Sequence, residues 1–205
     1  MSGPREIILI VDFGSQYTQL IVRRVRECRV YSELVPHGVP ASALRRPGLK
    51  GIILSGGPSS VYSPSSPRCD PEVFNLGVPV LGICYGLQVA GELFGGSVRP
   101  ASSREFGRTR CRLNTKCELF RGLPEEVIVW MSHGDMVDAL GEEFEVIAQS
   151  ANTRYAAVKH RRVPFYGVQF HPEVSHTEHG QMMLQNFLYR ICRCAGDWRL
   201  GDYVE

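Results

Sequence analysis

Pro79-Val80-Leu81-Gly82-Ile83-Cys84-Tyr85-Gly86-Leu87-Gln88 joins two hydrophobic periods at one cysteine. Residues 78–83 are a short apolar run of the kind a buried strand makes. After Gly86 the small and apolar positions are Leu87, Ala90, Gly91 and Phe94, at spacings of three and four, which is helical. The stretch therefore reads as strand, sharp turn and helix with Cys84 at the apex. That is the layout of a Gly-x-Ser-x-Gly nucleophile elbow with sulfur in place of oxygen. Gly82 and Gly86 flank the cysteine where a tight turn brings backbone segments too close for a Cβ. The helix that follows aims its free N–H groups and positive dipole end at the sulfur, which favours the nucleophilic thiolate. A buried structural cysteine between packing glycines would be spelled the same way, since free cysteine is commonly buried. The rest of the chain decides between the two.

Upstream, residues 6–12 (EIILIVD) form a continuous apolar strand, buried on both faces. Phe13-Gly14 turns the chain and Ser15 is the expected N-cap of a helix. Tyr17, Leu20, Ile21 and Val25 make the inner stripe of that helix, with Arg23, Arg24 and Arg26 mostly on its solvated side. Strands follow at 30–35 and 51–54, with a short helix or turn at 41–46 between them. Ser55-Gly56-Gly57-Pro58-Ser59-Ser60 opens a polar, proline-rich loop that runs to Pro71. A short helix at 72–76 leads into the strand before Cys84. Strands alternating with helices imply an α/β fold, an open and mostly parallel sheet covered by helices on both faces. The second half changes character. Residues 108–113, 127–131, 144–149, 155–159 and 165–170 read as short strands without long helices between them, hence antiparallel additions and a return strand. Residues 178–194 form a closing helix with Met182, Met183, Leu184, Phe187, Leu188 and Ile191 inward. One domain over 1–194 and a tail, or the start of a linker, over 195–205 follow from this pattern.

The 205 residues suffice for one large domain with a real core, and 43% hydrophobic with 21% charged is ordinary for a soluble globular protein. A formal net charge of +2 is too mild to argue for nucleic acid or an anionic membrane as partner. The early apolar run, residues 7–11, is too short for a signal peptide core or a membrane span, so the cytoplasm is the expected location. Seven cysteines at irregular spacing, with no Cys-x-x-Cys pair, indicate neither a zinc site nor a disulfide framework. Six of them read as reduced bystanders.

A cysteine nucleophile needs a base in hydrogen-bond reach, and the base needs an orienting acceptor. Gly167-Val168-Gln169-Phe170-His171-Pro172-Glu173 supplies both. In extended chain, residues two apart share a face, so His171 and Glu173 can both look at the sheet end where Cys84 sits. Active sites of open α/β sheets lie at the carboxyl ends of the strands. Attack on a carbonyl creates an oxyanion. The Tyr85 N–H comes with the elbow, and a second donor comes from Gly56 or Gly57. Ser55-Gly56-Gly57-Pro58 lacks the Gly-Lys-Ser/Thr ending of a nucleotide-binding loop, and Pro58 removes a donor, so nucleotide binding is rejected there.

Gly82-Ile83-Cys84-Tyr85-Gly86 with the downstream His171-Pro172-Glu173 resembles the class I (triad) glutamine amidotransferases. Here the acid follows the histidine, unlike the α/β-hydrolase order. Within the family the chain is most similar to the glutaminase domains of GMP synthetases. The segments that carry this are 12–21 (DFGSQYTQLI), 53–62 (ILSGGPSSVY), 130–135 (WMSHGD) and 167–174 (GVQFHPEV), and the resemblance runs from about residue 7 to residue 198. It implies a flavodoxin-like fold, attack by Cys84 on the side-chain amide of glutamine, proton transfer by His171 and orientation of His171 by Glu173. It further implies an oxyanion hole from the Gly57 and Tyr85 N–H groups, and glutamine binding at Gly56, Gln88, Ser132, His133, Gly134 and Asp135. The implied partner is an ATP pyrophosphatase (synthetase) domain, in cis or in trans, which uses ATP and Mg to activate xanthosine monophosphate. No cofactor is expected on this chain. Two other readings stay open: a glutaminase of another synthetase, such as that of anthranilate or carbamoyl phosphate, and a non-catalytic regulatory module of the same fold.

Overall fold

The computed structural model describes residues 5–199, without the side chains of residues 102–105. In chain order the elements begin with β1 (Ile7–Asp12), α1 (Thr18–Glu27), β2 (Tyr31–Pro36), α2 (Ala41–Leu44) and β3 (Leu49–Leu54). A 3-10 turn at Pro71–Asn75 precedes β4 (Val80–Ile83) and α3 (Tyr85–Leu93). The second half holds β5 (Ser97–Leu113), β6 (Glu126–Ala139), β7 (Phe144–Ser150), β8 (Ala157–His160), β9 (Phe165–Val168) and α4 (Gly180–Gln185). Among the described residues the strands form one sheet of nine in the order β2-β1-β3-β4-β9-β8-β7-β5-β6. The first five in that order pair in parallel, and the remaining pairs are antiparallel.

The continuous apolar runs explain why the parallel strands sit in the middle. Along β1, Ile8 and Ile10 face one layer with Ile21 and Val25 of α1 and Met183 and Leu184 of α4. Ile7, Leu9 and Val11 face the other, with Leu87 and Ala90 of α3 and Leu44 of α2. Both layers are buried, so strand residues need no polar alternation. From β1 the chain moves to β2 on one side and to β3 on the other. The loops after β1 and β3 therefore diverge, which opens a crevice at the carboxyl ends of these strands.

Several expectations need correction. The α1 cap position is Tyr17, with no side-chain cap bond; Ser15 sits two residues earlier and its Oγ accepts the Tyr17 N–H at 3.0 Å. β5 and β6 are 17 and 14 residues long, far beyond the expected 108–113 and 127–131. Polar and glycine residues at 99–107 and 132–135 hid that extension from a hydrophobic reading, although His133, Met136 and Val137 of β6 are buried. The closing helix is α-helical only to Gln185 and continues as a π-helix at Asn186–Ile191. The buried Asn186 amide there donates to the Leu119 and Arg121 carbonyls at 3.1 and 2.9 Å. Of the expected tail, residues 195–199 fold back on the domain: the Trp198 N–H donates to the Arg29 carbonyl at 3.0 Å and its ring packs on Tyr31. Residues 200–205 lie outside the described residues. Among the described residues no helix is long and apolar enough to cross a membrane.

Candidate active site

Cys84 occupies the step from β4 to α3 with φ 50° and ψ −103°. A non-glycine residue held in such a region costs about 1–3 kcal/mol, and such strain gathers at functional sites. Neighbouring backbone enforces it. The Cys84 N–H donates to Val168 O at 2.7 Å, the Gly86 N–H to Ser55 O at 3.1 Å, and the Gln88 N–H to Cys84 O at 3.2 Å. A Cβ on Gly86 would run into the Leu54 carbonyl, and one on Gly82 would lie 2.8 Å from the Gly86 carbonyl carbon. The two glycines thus let β3, β4 and α3 approach closely enough to make the elbow. The sulfur is nearly buried, accepts from Gln169 Nε2 at 3.5 Å and contacts the Ser132 carbonyl at 3.9 Å.

His171 stands three residues beyond the end of β9, the strand that pairs with β4. Its Nδ1 is 2.8 Å from Glu173 Oε1, and both side chains are buried. The backbone around it is pinned. The His171 N–H donates to Trp130 O at 3.1 Å, and Thr177 Oγ1 donates to His171 O at 2.6 Å while accepting the Trp130 N–H at 3.0 Å. Tyr17 packs its ring edge-on to the imidazole at 5.1 Å. Arg24 Nε donates to the Glu173 carbonyl at 3.0 Å, so this arginine is recruited to the site instead of lying on the solvated face. Burial alone would push the His171 imidazole down. The Glu173 charge, the hydrogen bonds the ring donates to Cys84 and Glu173, and the Cys84 charge outweigh it and hold the ring well above the usual histidine value.

The other thiols are in different surroundings. Burial pushes Cys28 and Cys69 up to about 11 and Cys194 up to about 12, and raises Cys117 and Cys192 as well. Such thiols are inert at neutral pH. None of the seven cysteines forms a disulfide.

The glycine loop after β3 passes directly over the site. A Cβ on Gly56 would lie 3.0 Å from His171 Cε1, and one on Gly57 would lie 2.8 Å from the Phe13 carbonyl oxygen. The Ser55 hydroxyl accepts the Phe13 N–H at 3.0 Å and donates to the Gly56 carbonyl at 2.8 Å. The Tyr85 N–H is the first of α3 and has no intrahelical acceptor. The Tyr85 side chain packs edge-on against Phe13 and donates its hydroxyl to Pro67 O at 2.8 Å.

A cavity of about 700 Å³ opens onto this cluster, lined among others by Gly57, Cys84, Gln88, His133, Asp135 and His171. The segment 132–135, which alone spells a turn, lies inside β6, and all four of its residues line the cavity. Gln88 Nε2 donates to Asp135 O at 2.9 Å, which ties α3 to β6. The Asp135 carboxylate accepts from Ser60 Oγ and from the Tyr62 hydroxyl, at 2.5 and 2.8 Å, across the cavity mouth. All eleven residues named from the sequence therefore lie in or directly around one cavity. Tyr17, Arg24, Ser55, Ser60, Tyr62, Gln169 and Thr177 were missed as site residues. Tyr17, Ser55, Ser60, Tyr62 and Gln169 fall within the quoted segments; Arg24 and Thr177 carry no local signal.

An open α/β sheet with a strained cysteine at a strand-to-helix step, facing a buried histidine–carboxylate pair, is the architecture of a cysteine-dependent acyl-transfer domain. The model of the class I glutamine amidotransferase family matches residues 9–191, and the chain belongs to that family. It is 53% identical over 206 residues to the GMP synthase (glutamine-hydrolyzing) of a Staphylococcus epidermidis strain, and 49% identical over 205 residues to that of Caldanaerobacter subterraneus subsp. tengcongensis. Each alignment covers 100% of this chain and 40% of the relative, so the chain spans about two fifths of the length of these curated relatives. The part matched is their glutaminase domain. A crystal structure from Thermoplasma acidophilum, described as a candidate GMP synthase subunit, superposes with a TM-score of 0.81 at 34% identity, covering 94% of this chain and 96% of that one. A glutamine amidotransferase from Thermotoga maritima, at 20% identity and a TM-score of 0.65, covers 91% and 83% and shares the fold.

Proposed function

We propose that this chain hydrolyses glutamine to glutamate and ammonia through a Cys84–His171–Glu173 triad, and that the ammonia aminates xanthosine monophosphate to GMP on a synthetase domain. The carrying observation is the convergence of Cys84 and the His171–Glu173 pair at the ends of two adjacent parallel strands. In the proposed reaction the Cys84 thiolate attacks the side-chain amide carbon. The negative oxygen is held by the Gly57 and Tyr85 N–H groups. His171 passes its proton to the amide nitrogen, the C–N bond breaks and ammonia leaves. A glutamyl thioester remains. Water attacks it, His171 takes the water's proton, and the C–S bond breaks to return the thiolate and release glutamate. Glu173 holds the imidazole in orientation and stabilises its charged form.

Glutamine fits the cavity chemistry. Asp135 is an anion able to meet an α-ammonium, and Gly56, Gln88, Ser132, His133 and Gly134 supply the surrounding polar and backbone groups. Residues 1–194 are proposed as the glutaminase unit and 195–205 as the lead into a synthetase domain, in cis or in trans, that carries ATP and Mg. The length of the GMP synthase relatives supports that partner. The test is ammonia release from glutamine by residues 1–205 and by its Cys84→Ala variant, with and without the synthetase domain, ATP and xanthosine monophosphate. Activity that survives Cys84→Ala contradicts the covalent reading.

A further inference from the structure

Gln169 is fully buried beside the nucleophile, touching both Cys84 and Gln88, and has no part in the triad. Its Nε2 is 3.5 Å from Cys84 Sγ, and its Oε1 is 3.5 Å from Gln88 Nε2. An amide can be built either way round, so its orientation must come from the network. Here one member has no choice. The Asp135 backbone carbonyl can only accept, so the Gln88 group 2.9 Å from it is the donor, Nε2. The same Nε2 then faces Gln169, which must answer with its oxygen. The remaining end of Gln169, its NH₂, is thereby directed at sulfur.

We infer that Gln169 is a positioning residue for the nucleophile, donating to the Cys84 sulfur in an orientation imposed through Gln88 by the backbone of β6. The inference rests on the reading of Cys84 as nucleophile. A donor to sulfur favours the thiolate and fixes where its lone pairs point. Because Gln88 holds both the β6 wall of the cavity and Gln169, the sulfur's setting depends on the wall where Asp135 sits. The other groups around the sulfur are the His171 ring backed by Glu173 and the Ser132 carbonyl, with His133 and Asp135 further along the cavity. None of these residues is substituted in the variants below.

The test is the pH profile of Cys84 alkylation by iodoacetamide, read by peptide mass spectrometry, in residues 1–205, Gln169→Met, Gln88→Met and the double variant. Methionine keeps the length of the side chain and removes the donor. In Gln169→Met the midpoint moves up by about one pH unit, a tenfold slower reaction below it. In the same variant kcat for glutamine falls about tenfold with KM within about twofold, the pattern of a lost transition-state setting. Gln88→Met, which frees Gln169 to turn over, moves the midpoint in the same direction by less. The double variant moves it no further than Gln169→Met alone, because the two act through one chain. An unmoved midpoint in Gln169→Met overturns the inference. Should that variant fail to fold by circular dichroism, the Gln88→Met midpoint decides alone. Failure of the nucleophile reading looks different: an electrophilic glutamine analogue would then leave Cys84 of the unaltered chain unlabelled.

Discussion

The Ser55 hydroxyl donates to the Gly56 carbonyl at 2.8 Å and so fixes the plane of the Gly56–Gly57 peptide. In a trans peptide the N–H points opposite to the C=O. One serine hydroxyl therefore sets the direction of the Gly57 N–H, the proposed second oxyanion donor. Glycine on both sides would otherwise let that peptide turn over at little steric cost. Ser55→Ala is expected to lower kcat about tenfold with little change in KM, since an oxyanion donor acts on the transition state. It also leaves the Phe13 N–H without its acceptor, so thermal stability falls by about 1–3 kcal/mol. Steady-state kinetics and a melting curve separate the two effects.

Tyr62 and Ser60 close on Asp135 from the loop after β3. If Asp135 receives the α-ammonium of glutamine, these two hydroxyls orient its carboxylate without touching the reacting atoms. Tyr62→Phe removes one half-exposed hydrogen bond, a loss of about 1 kcal/mol. KM for glutamine is expected to rise about fivefold while kcat holds. A fall in kcat at unchanged KM would assign Tyr62 to the chemistry instead.

The Glu173 carboxylate helps hold His171 well above the ordinary histidine value. Removing its charge destabilises the imidazolium, so Glu173→Gln should lower the His171 titration midpoint measured by NMR. The stability that comes with the raised value is fully present below about pH 6.5, the unfolded histidine value, and is lost as pH rises through the folded one. Glu173→Gln should therefore destabilise the protein more at pH 6 than at pH 9. Its activity loss is expected to be smaller than that of His171→Ala, since Glu173 orients the base and does not exchange the substrate's proton.

Ammonia made without an acceptor is wasted, so residues 1–205 alone are expected to be a weak glutaminase. The long loop from Val61 to Pro71 is the part a partner could stabilise in one state. A synthetase domain with ATP and xanthosine monophosphate should raise glutamine hydrolysis about a hundredfold, equivalent to about 2.8 kcal/mol at 1.4 kcal/mol per tenfold. Equal rates with and without it would show that the isolated site is already complete.

The elbow was legible because one physical demand, a tight strand-to-helix turn around Cys84, writes glycines at fixed spacing. His171 and Glu173 were legible because extended chain puts residues two apart on one face. The parallel half followed from continuous apolar runs that both layers bury. The reach of β5 and β6 was not legible, because residues 99–107 and 132–135 are mostly polar or glycine and carry no hydrophobic alternation, although burial in β6 does alternate from Val127 to His133. Nor could a turn-like Ser132-His133-Gly134-Asp135 be placed in a strand without knowing its partner. Arg24 and Thr177 join the site through contacts 149 and six residues away in sequence, which no local pattern records. The change from α to π in the closing helix begins at Asn186, whose hydrogen bonds to Leu119 and Arg121 are again long-range in sequence.

The central claim is that Cys84 attacks glutamine while six other cysteines stand by. Its most direct measurement is peptide mapping of the whole chain after reaction with an electrophilic glutamine analogue. A single adduct on Cys84, absent in Cys84→Ala and suppressed by excess glutamine, is the predicted result. Labelling at any other cysteine with Cys84 intact, or none at all, would contradict the account.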